Sequence, residues 1–124
     1  MKTLNYKKGK AGEEIAAEFL RKKGFKILEQ NFNTRYGELD LICVDKNILV
    51  FTEVKLKVGE QFGTPEEMVN RRKLYQIEQT AQSFLLQNPE YKSRYASYRI
   101  DVVAVVVEKS GLVERIDHYE NVSF

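Results

Sequence analysis

Gly37-Glu38-Leu39-Asp40-Leu41-Ile42-Cys43-Val44 is the segment from which the architecture of this 124-residue chain follows. A short polar turn comes after it, and then a second largely apolar run, Leu49–Lys55. Two runs of this kind on either side of a short turn predict a β-hairpin. If Lys46 and Asn47 form a two-residue loop, Asp40 lies opposite Glu53 and Glu38 lies opposite Lys55.

This register would gather charged side chains at one end of an otherwise apolar hairpin. Directly opposed residues share a face of the sheet, with Cβ atoms roughly 4.5–5.5 Å apart. Two facing carboxylates repel each other unless a cation lies between them, and a divalent cation favours oxygen ligands. The hairpin therefore predicts a metal site held by Asp40 and Glu53, with the positive charge of Lys55 beside it.

Residues 11–23 have the apolar spacing of an amphipathic helix, and Gly24 is a natural stop. Glu13 borders the apolar stripe, whereas Glu14 falls on the solvent side. Glu13 is therefore the acid that can point toward the sheet. A glutamate in a first helical turn is also explained by the helix macrodipole alone, and that alternative is equally common.

The remaining pattern predicts a strand over 25–32, a helix from Thr64 to about Gln87 and two final strands over 99–108 and 112–119. Thr64-Pro65 with Glu67 has the form of a capping box. Lys73 falls on the buried side of this helix, where it would either snorkel or reach the acidic cluster. Residues 90–98 are expected to form a basic loop with interleaved tyrosines. The order α-β-β-β-α-β-β predicts one mixed α/β domain over 1–124, with a flexible basic tail over 1–9.

Composition excludes several kinds of site. Cys43 is the only cysteine and His118 the only histidine, so disulfides, thiolate or histidine zinc sites, HNH chemistry and Ser-His triads are poorly supported. The N-terminus has no apolar signal segment, and the longest apolar run, Val102–Val107, is too short to span a bilayer. We therefore expect a cytoplasmic protein without membrane contact.

The net charge of +2 says little about partners, but the basic residues are clustered. Taken singly, each cluster is best explained as a solvated face. Around an acidic site, however, clustered cations suit a polyanion that must approach metal-binding carboxylates. The residues expected to contact nucleic acid are Lys7, Lys8, Lys10, Arg71, Arg72 and Lys73.

Five blocks in order carry a family resemblance that covers about residues 9–119: Gly12-Glu13, Gly37–Ile42, Phe51–Lys55, Lys73 and Arg99–Val103. Together they resemble the YraN-like family of small bacterial proteins without established function. That family is grouped with archaeal Holliday-junction resolvases in the restriction-endonuclease-like superfamily, whose signature is PD-(D/E)xK. Two departures are Leu39 in place of proline and Leu56-Lys57 after the motif lysine.

The resemblance implies a restriction-endonuclease-like fold, a mixed β-sheet flanked by helices, and a metal-dependent, structure-selective DNA endonuclease. It implies Glu13, Asp40, Glu53 and Lys55 as catalytic residues, with Asp40 and Glu53 holding Mg²⁺ or Mn²⁺. Glu38 would support them by pairing with Lys55, and Lys73 would support them from the second helix. The expected partner is branched or structured DNA, and the resolvase relatives imply a homodimer.

Two alternatives belong to other classes of protein. One is a non-catalytic nucleic-acid-binding module on an endonuclease scaffold, although such a module has no need of opposed carboxylates. The other is an adaptor in which the charged cluster is purely structural. Burying unpaired carboxylates costs several kcal/mol, so the adaptor requires the cluster to be exposed or fully paired.

Overall fold

The computed structural model describes residues 8–59 and 65–123, with the side chains of 8–10, 65 and 66 excluded from the description. The predicted tail lies mostly outside these residues, and so does the predicted cap, Thr64. In chain order the elements are α1 (Lys8–Lys22), β1 (Lys26–Thr34), β2 (Gly37–Asp45), β3 (Ile48–Val58), α2 (Pro65–Met68), α3 (Arg71–Gln87), α4 (Glu90–Arg94), β4 (Ser97–Val107) and β5 (Val113–Tyr119). The mixed α/β class predicted from the sequence is confirmed.

Helix α1 begins at Lys8, earlier than the predicted start at residue 11, and ends where the sequence predicts. Gly24 has a φ of 97°, a left-handed conformation that glycine adopts without steric cost. The N–H of Phe25 donates to the carbonyl of Leu20 at 2.9 Å, and the N–H of Gly24 donates to that of Arg21 at 2.9 Å. This pair of bonds is a Schellman motif, which satisfies the last carbonyls and turns the chain into β1.

The hairpin register is confirmed along its ladder. Strands β2 and β3 are antiparallel, and the observed pairs run from Leu41 opposite Thr52 to Asp45 opposite Ile48. Lys46 has a φ of 58°, as a tight two-residue loop requires. The ladder stops at Leu41, one pair short of Asp40 and Glu53.

The five strands form one mixed sheet in the order β1-β2-β3-β4-β5, with β3 and β4 parallel and the other neighbours antiparallel. Strand β3 is central, as its apolar character on both faces predicts. One face carries the core packed by Leu74, Ile77 and Phe84 of α3. The other face carries the core packed by Ala16, Ala17 and Leu20 of α1.

The prediction of one continuous helix from residue 64 to 87 is wrong. The chain forms two helices, α2 and α3, separated at Val69 and Asn70. Asn70 has an extended backbone, and its side-chain oxygen accepts a hydrogen bond from the N–H of Lys73 at 2.8 Å. Asparagine competes well for this capping role, so a new helix begins after it.

The prediction of a basic loop over 90–98 is also wrong, because Glu90–Arg94 form the short helix α4 and β4 already begins at Ser97. The tyrosines of this segment pack at the edge of the core. The rings of Tyr91 and Phe84 lie 5.4 Å apart, and those of Tyr98 and Phe51 lie 5.6 Å apart. Within residues 8–59 and 65–123, no helix combines the length and the apolar character needed to cross a membrane.

Candidate functional site

Strand β2 changes its alternation at Asp40. Ile42 packs in the core beneath α3, and Leu41 packs in the core beneath α1, as neighbours in a strand should. Strict alternation would place Leu39 with Leu41, yet Leu39 packs with Ile42 on the α3 side. Asp40 therefore lies where the regular strand is interrupted, at the point where pairing with β3 ends.

Asp40 belongs to a group of three carboxylates. One oxygen each of Glu13, Glu38 and Asp40 lie within 4.8 Å of one another. Asp40 is buried, Glu13 is half-buried and Glu38 is exposed, so the group opens toward solvent on one side. Three hard oxygen ligands this close together can hold a divalent cation.

Helix α1 reaches this group because Gly12 has no side chain. A Cβ atom added at Gly12 would lie 3.3 Å from the Cβ of Leu56 on β3, which is tighter than ordinary packing. The glycine therefore lets the start of α1 approach the sheet, and the next residue, Glu13, meets Asp40. Glu14 is exposed, so the structure places the two glutamates as the helical spacing predicts.

Glu53, whose carboxyl feels the charge of Asp40, pairs with two lysines. Its Oε2 atom is 3.5 Å from the Nζ of Lys55 and 3.7 Å from the Nζ of Lys73. The hairpin register predicts an ion pair of Lys55 with Glu38, but in the described part of the chain Lys55 pairs with Glu53 instead. Lys73 reaches the cluster from the first turn of α3, because the cap at Asn70 sets where that helix begins.

Burial raises the pKa of both central carboxyls. For Asp40, desolvation outweighs the hydrogen bond that its Oδ2 atom accepts from the N–H of Val54 at 2.8 Å. For Glu53, desolvation together with the charge of Asp40 raises the pKa to about 7, against the pull of the two lysines. Two buried carboxyls that resist ionising together are an electrostatic arrangement that a bound cation relieves. The donor set therefore fits Mg²⁺ or Mn²⁺.

The structure describes only some of the basic side chains that were predicted to contact nucleic acid. Arg71 and Arg72 are exposed at the start of α3, next to Lys73. The side chains of Lys7, Lys8 and Lys10 lie outside the description. Of the residues predicted to contact nucleic acid, Arg71, Arg72 and Lys73 therefore lie together at the start of α3, and their contact with nucleic acid stays a prediction.

A second buried polar cluster contains the motif residues Arg99 and Asp101, together with His118, which the sequence did not connect to them. Asp101 is fully buried and accepts hydrogen bonds from Arg99 at 2.9 Å, from the N–H of Asn121 at 2.9 Å and from His118 at 2.8 Å. Burial alone would raise its pKa, but these bonds hold the pKa of Asp101 below its usual value. Arg99 also pairs with Asp45 at 3.2 Å, which ties β4 to β2 across the sheet. The motif residues Arg99 and Asp101 thus connect strands within the sheet. His118 lies beside them because β5 pairs with β4, which the sequence alone does not show.

Comparison with known proteins gives one consistent family. The model of the uncharacterised protein family UPF0102 matches residues 12–105. A UPF0102 protein of Syntrophomonas wolfei is 43% identical over 118 residues, covering 95% of this chain and 98% of that relative. UPF0102 proteins of Pelotomaculum thermopropionicum and Desulforamulus reducens are 40% and 41% identical, each covering 91% of this chain and 92% of the relative.

Proposed function

Since the chain belongs to the uncharacterised protein family UPF0102, whose name assigns no activity, we propose a function from its own site: a metal-dependent endonuclease that acts on structured DNA. The observation that carries this proposal is the position of Asp40. Its buried carboxylate lies beside Glu13 and Glu38 and couples electrostatically to Glu53, which two lysines hold in place. Acidic ligands next to paired cations suit a phosphodiester substrate, whose negative charge must be balanced before it is attacked.

The proposal assigns Asp40 and Glu53 as metal ligands, with Glu13 completing the set. Glu38, the exposed member of the carboxylate group, adds to the negative charge that attracts the cation. A bound Mg²⁺ or Mn²⁺ would polarise the phosphate and lower the pKa of a water molecule. All of these ligands are oxygen donors, which is the set that both ions prefer.

The lysines would act on the substrate. Lys55 is about one-third exposed beside Glu53, so its ammonium group can reach a phosphate oxygen and stabilise the charge that builds on it. Lys73 is exposed to the same extent and approaches from α3, where it can hold the neighbouring phosphate. Arg71 and Arg72 extend the positive charge along the same helix start. The order of the elements, with helices on both faces of a mixed sheet, supports a restriction-endonuclease-like scaffold for these residues.

A cleavage assay tests the proposal directly. Purified protein is incubated with a four-way junction, a flap and a linear duplex of the same sequence, with Mn²⁺ and with EDTA. Metal-dependent cleavage that prefers a branched substrate and disappears in Asp40→Asn supports the endonuclease. Metal-independent binding to the same DNA without cleavage would instead leave the non-catalytic binding module as the better function.

The resolvase resemblance also extends the proposal to assembly. Symmetric cutting of two strands requires two active sites, which a homodimer supplies. Sedimentation of the protein with and without a junction measures this separately from cleavage.

A further inference from the structure

A groove lies between the β1–β2 turn and the exposed side of α3. Its volume is about 480 Å³, and Arg35 and Tyr36 of the turn form one wall. Gln79, Gln82 and Leu86 of α3 contribute to the other wall. The spacing of these three helical residues places them on one stripe of the helix, so the groove follows the helix axis. The site described above does not use any of these side chains.

The turn presents an ordered aromatic platform. The guanidinium carbon of Arg35 lies 5.2 Å from the centre of the Tyr36 ring, and the same guanidinium donates to the Tyr36 hydroxyl at 3.1 Å. The Thr34 hydroxyl accepts from the N–H of Tyr36 at 3.0 Å, which fixes the backbone of the turn. Tyr36 nevertheless remains 43% exposed. An aromatic ring held in place and open to solvent can stack on a nucleic-acid base.

The chemistry of the groove suits a single strand of nucleic acid. Arg35 is its cation, and no carboxylate is among the described residues that line it, although the chain contains 18 acidic residues. The amide of Gln79 offers both a hydrogen-bond donor and an acceptor to base edges, and Gln82 adds its amide oxygen, since its Nε2 atom donates to the Tyr98 hydroxyl. Leu86 is 79% exposed and adds an apolar surface beside them. Together the two walls provide a ring that can stack on a base, amide groups that can bond to the edge of the base, and a cation for the phosphate.

The groove leads to the carboxylate group from both walls. Glu38, the second residue of β2, follows Tyr36 by two residues in the chain. On the other wall, Gln79 follows Lys73 by six residues of the same helix, which is about 9 Å along its axis. A strand lying in the groove therefore continues toward Lys73 and Glu53 at the site.

We propose that this groove binds a single-stranded arm of the nucleic-acid substrate, with Tyr36 stacking on a base and Arg35 contacting a phosphate. The inference rests on the proposed function, because it names the substrate class of the same site: DNA with a single-stranded segment next to the cut. Unlike the proposed cleavage, binding of a strand in the groove does not require a metal ion.

The test measures binding of fluorescein-labelled oligo(dT) to the full chain by anisotropy, in EDTA. Loss of one base stack in Tyr36→Ala should raise Kd at least about fivefold. Tyr36→Phe keeps the ring and should stay within about twofold of the wild type. Tyr75→Ala is the control, because Tyr75 is a tyrosine of α3 that is more exposed than Tyr36 (62% against 43%) and does not line the groove.

Arg35→Gln gives a second readout that does not depend on Tyr36→Ala folding, since the Arg35 side chain is exposed. It should reduce the log–log salt slope of oligo(dT) binding by about 0.7, the value for one phosphate contact on a single strand. The inference is overturned if wild type does not bind oligo(dT), if Tyr75→Ala loses as much affinity as Tyr36→Ala, or if Arg35→Gln leaves the slope unchanged.

These outcomes are separable from those of the cleavage assay. Tyr36-dependent binding without cleavage of any DNA refutes the endonuclease and leaves the groove in place. Cleavage of branched DNA without affinity for oligo(dT) refutes the groove and leaves the endonuclease in place.

Discussion

The carboxylate of Asp40 accepts a hydrogen bond from the backbone N–H of Val54 at 2.8 Å, at the point where the ladder between β2 and β3 has stopped. Val54 lies between Glu53 and Lys55 in the chain, so this one bond fixes Asp40 relative to the strand that carries both. An alanine at position 40 would leave this N–H without its acceptor, a loss of about 1–3 kcal/mol for a buried group. Asparagine keeps an acceptor oxygen and removes only the charge.

Asp40→Asn should therefore lower Mn²⁺ affinity by at least about 100-fold, which exceeds the usual effect of mutating a residue that only hydrogen-bonds to a metal ligand. The fold should be retained. Glu53→Gln should also lower the affinity for Mn²⁺. Calorimetric titration with Mn²⁺ gives the affinity, and thermal melts in EDTA report on the fold.

Glu14→Gln is the matched control for this experiment, because Glu14 is exposed on the same helix turn as Glu13. It should bind Mn²⁺ like the wild type, whereas Glu13→Gln should bind more weakly. Equal Mn²⁺ affinity in the wild type and in Asp40→Asn would refute the metal site.

The metal-free protein should lose stability as the pH rises toward and past neutrality. Folding raises the pKa of Glu53 from 4.5 to about 7, so the folded state favours the protonated carboxyl. This contribution is complete below about pH 4.5 and is lost as the pH rises through about 7. It should amount to about 1–3 kcal/mol.

Chemical denaturation in EDTA from about pH 4.5 to about pH 8 measures this dependence. Glu53→Gln should be more stable than the wild type at the alkaline end and should show a flatter profile over this range. Saturating Mn²⁺ should flatten the wild-type profile as well, since a bound cation favours the charged carboxylate. A wild-type profile as flat in EDTA as that of Glu53→Gln would contradict the raised pKa.

Lys55→Ala should separate metal binding from turnover. The carboxylates remain, so Mn²⁺ affinity should change little, but cleavage should slow by about 100-fold or more because charge on the phosphate is no longer balanced. Lys57→Ala is the control, an exposed lysine further along the same strand. If both variants cleave at equal rates, Lys55 has no part in the reaction.

Neutralising the start of α3 should weaken DNA binding in a salt-dependent way. Arg71→Gln combined with Arg72→Gln should reduce the log–log salt slope on duplex DNA by about 0.9 for each phosphate that the arginines neutralise in the wild type. The control is Lys92→Gln combined with Arg94→Gln on α4. That helix borders a cavity lined by Leu49 and Ser97, which lie at the start of β3 and β4, whereas Glu53 lies in the middle of β3. A change of slope in the control pair alone would move the contact surface to α4.

The buried Asp101 should matter for stability rather than for metal. Asp101→Asn removes the buried charge that pairs with Arg99 and accepts from His118, while Arg99 keeps its partly exposed partner Asp45, and it should destabilise the protein by about 2–4 kcal/mol. Asp117→Asn breaks a surface pair with Arg115 and should cost about 1 kcal/mol or less. Urea denaturation measures both, and comparable losses would show that the buried cluster adds no special stability.

Local rules were sufficient for the hairpin and for the first helix. The register from Leu41 to Asp45 follows from a two-residue turn and from alternating burial, both of which are properties of adjacent residues. The end of α1 follows from Gly24 in the same way. The exposure of Glu14 and the inward position of Glu13 follow from helical spacing.

Local rules failed where two signals competed at neighbouring positions. Asn70 and the Thr64-Pro65 pair both favour a helix start, and the observed break shows that the cap at Asn70 operates within the predicted helix. Within the tyrosine-rich segment 90–98, Glu90–Arg94 form a short helix in which the ring of Tyr91 packs against that of Phe84. Neither outcome is encoded in a single periodic pattern.

The sequence by itself determined the central hairpin. It also identified the acidic residues and the two lysines of the candidate site. Only the tertiary structure decided how they are grouped: Asp40 meets Glu13 and Glu38, and Glu53 lies between Lys55 and Lys73. The physical reason is that register is set by short-range geometry, whereas a cluster also depends on how helices approach the sheet. Gly12 sets that approach for α1 and Asn70 sets it for α3, and neither effect can be read until the packing partners are known.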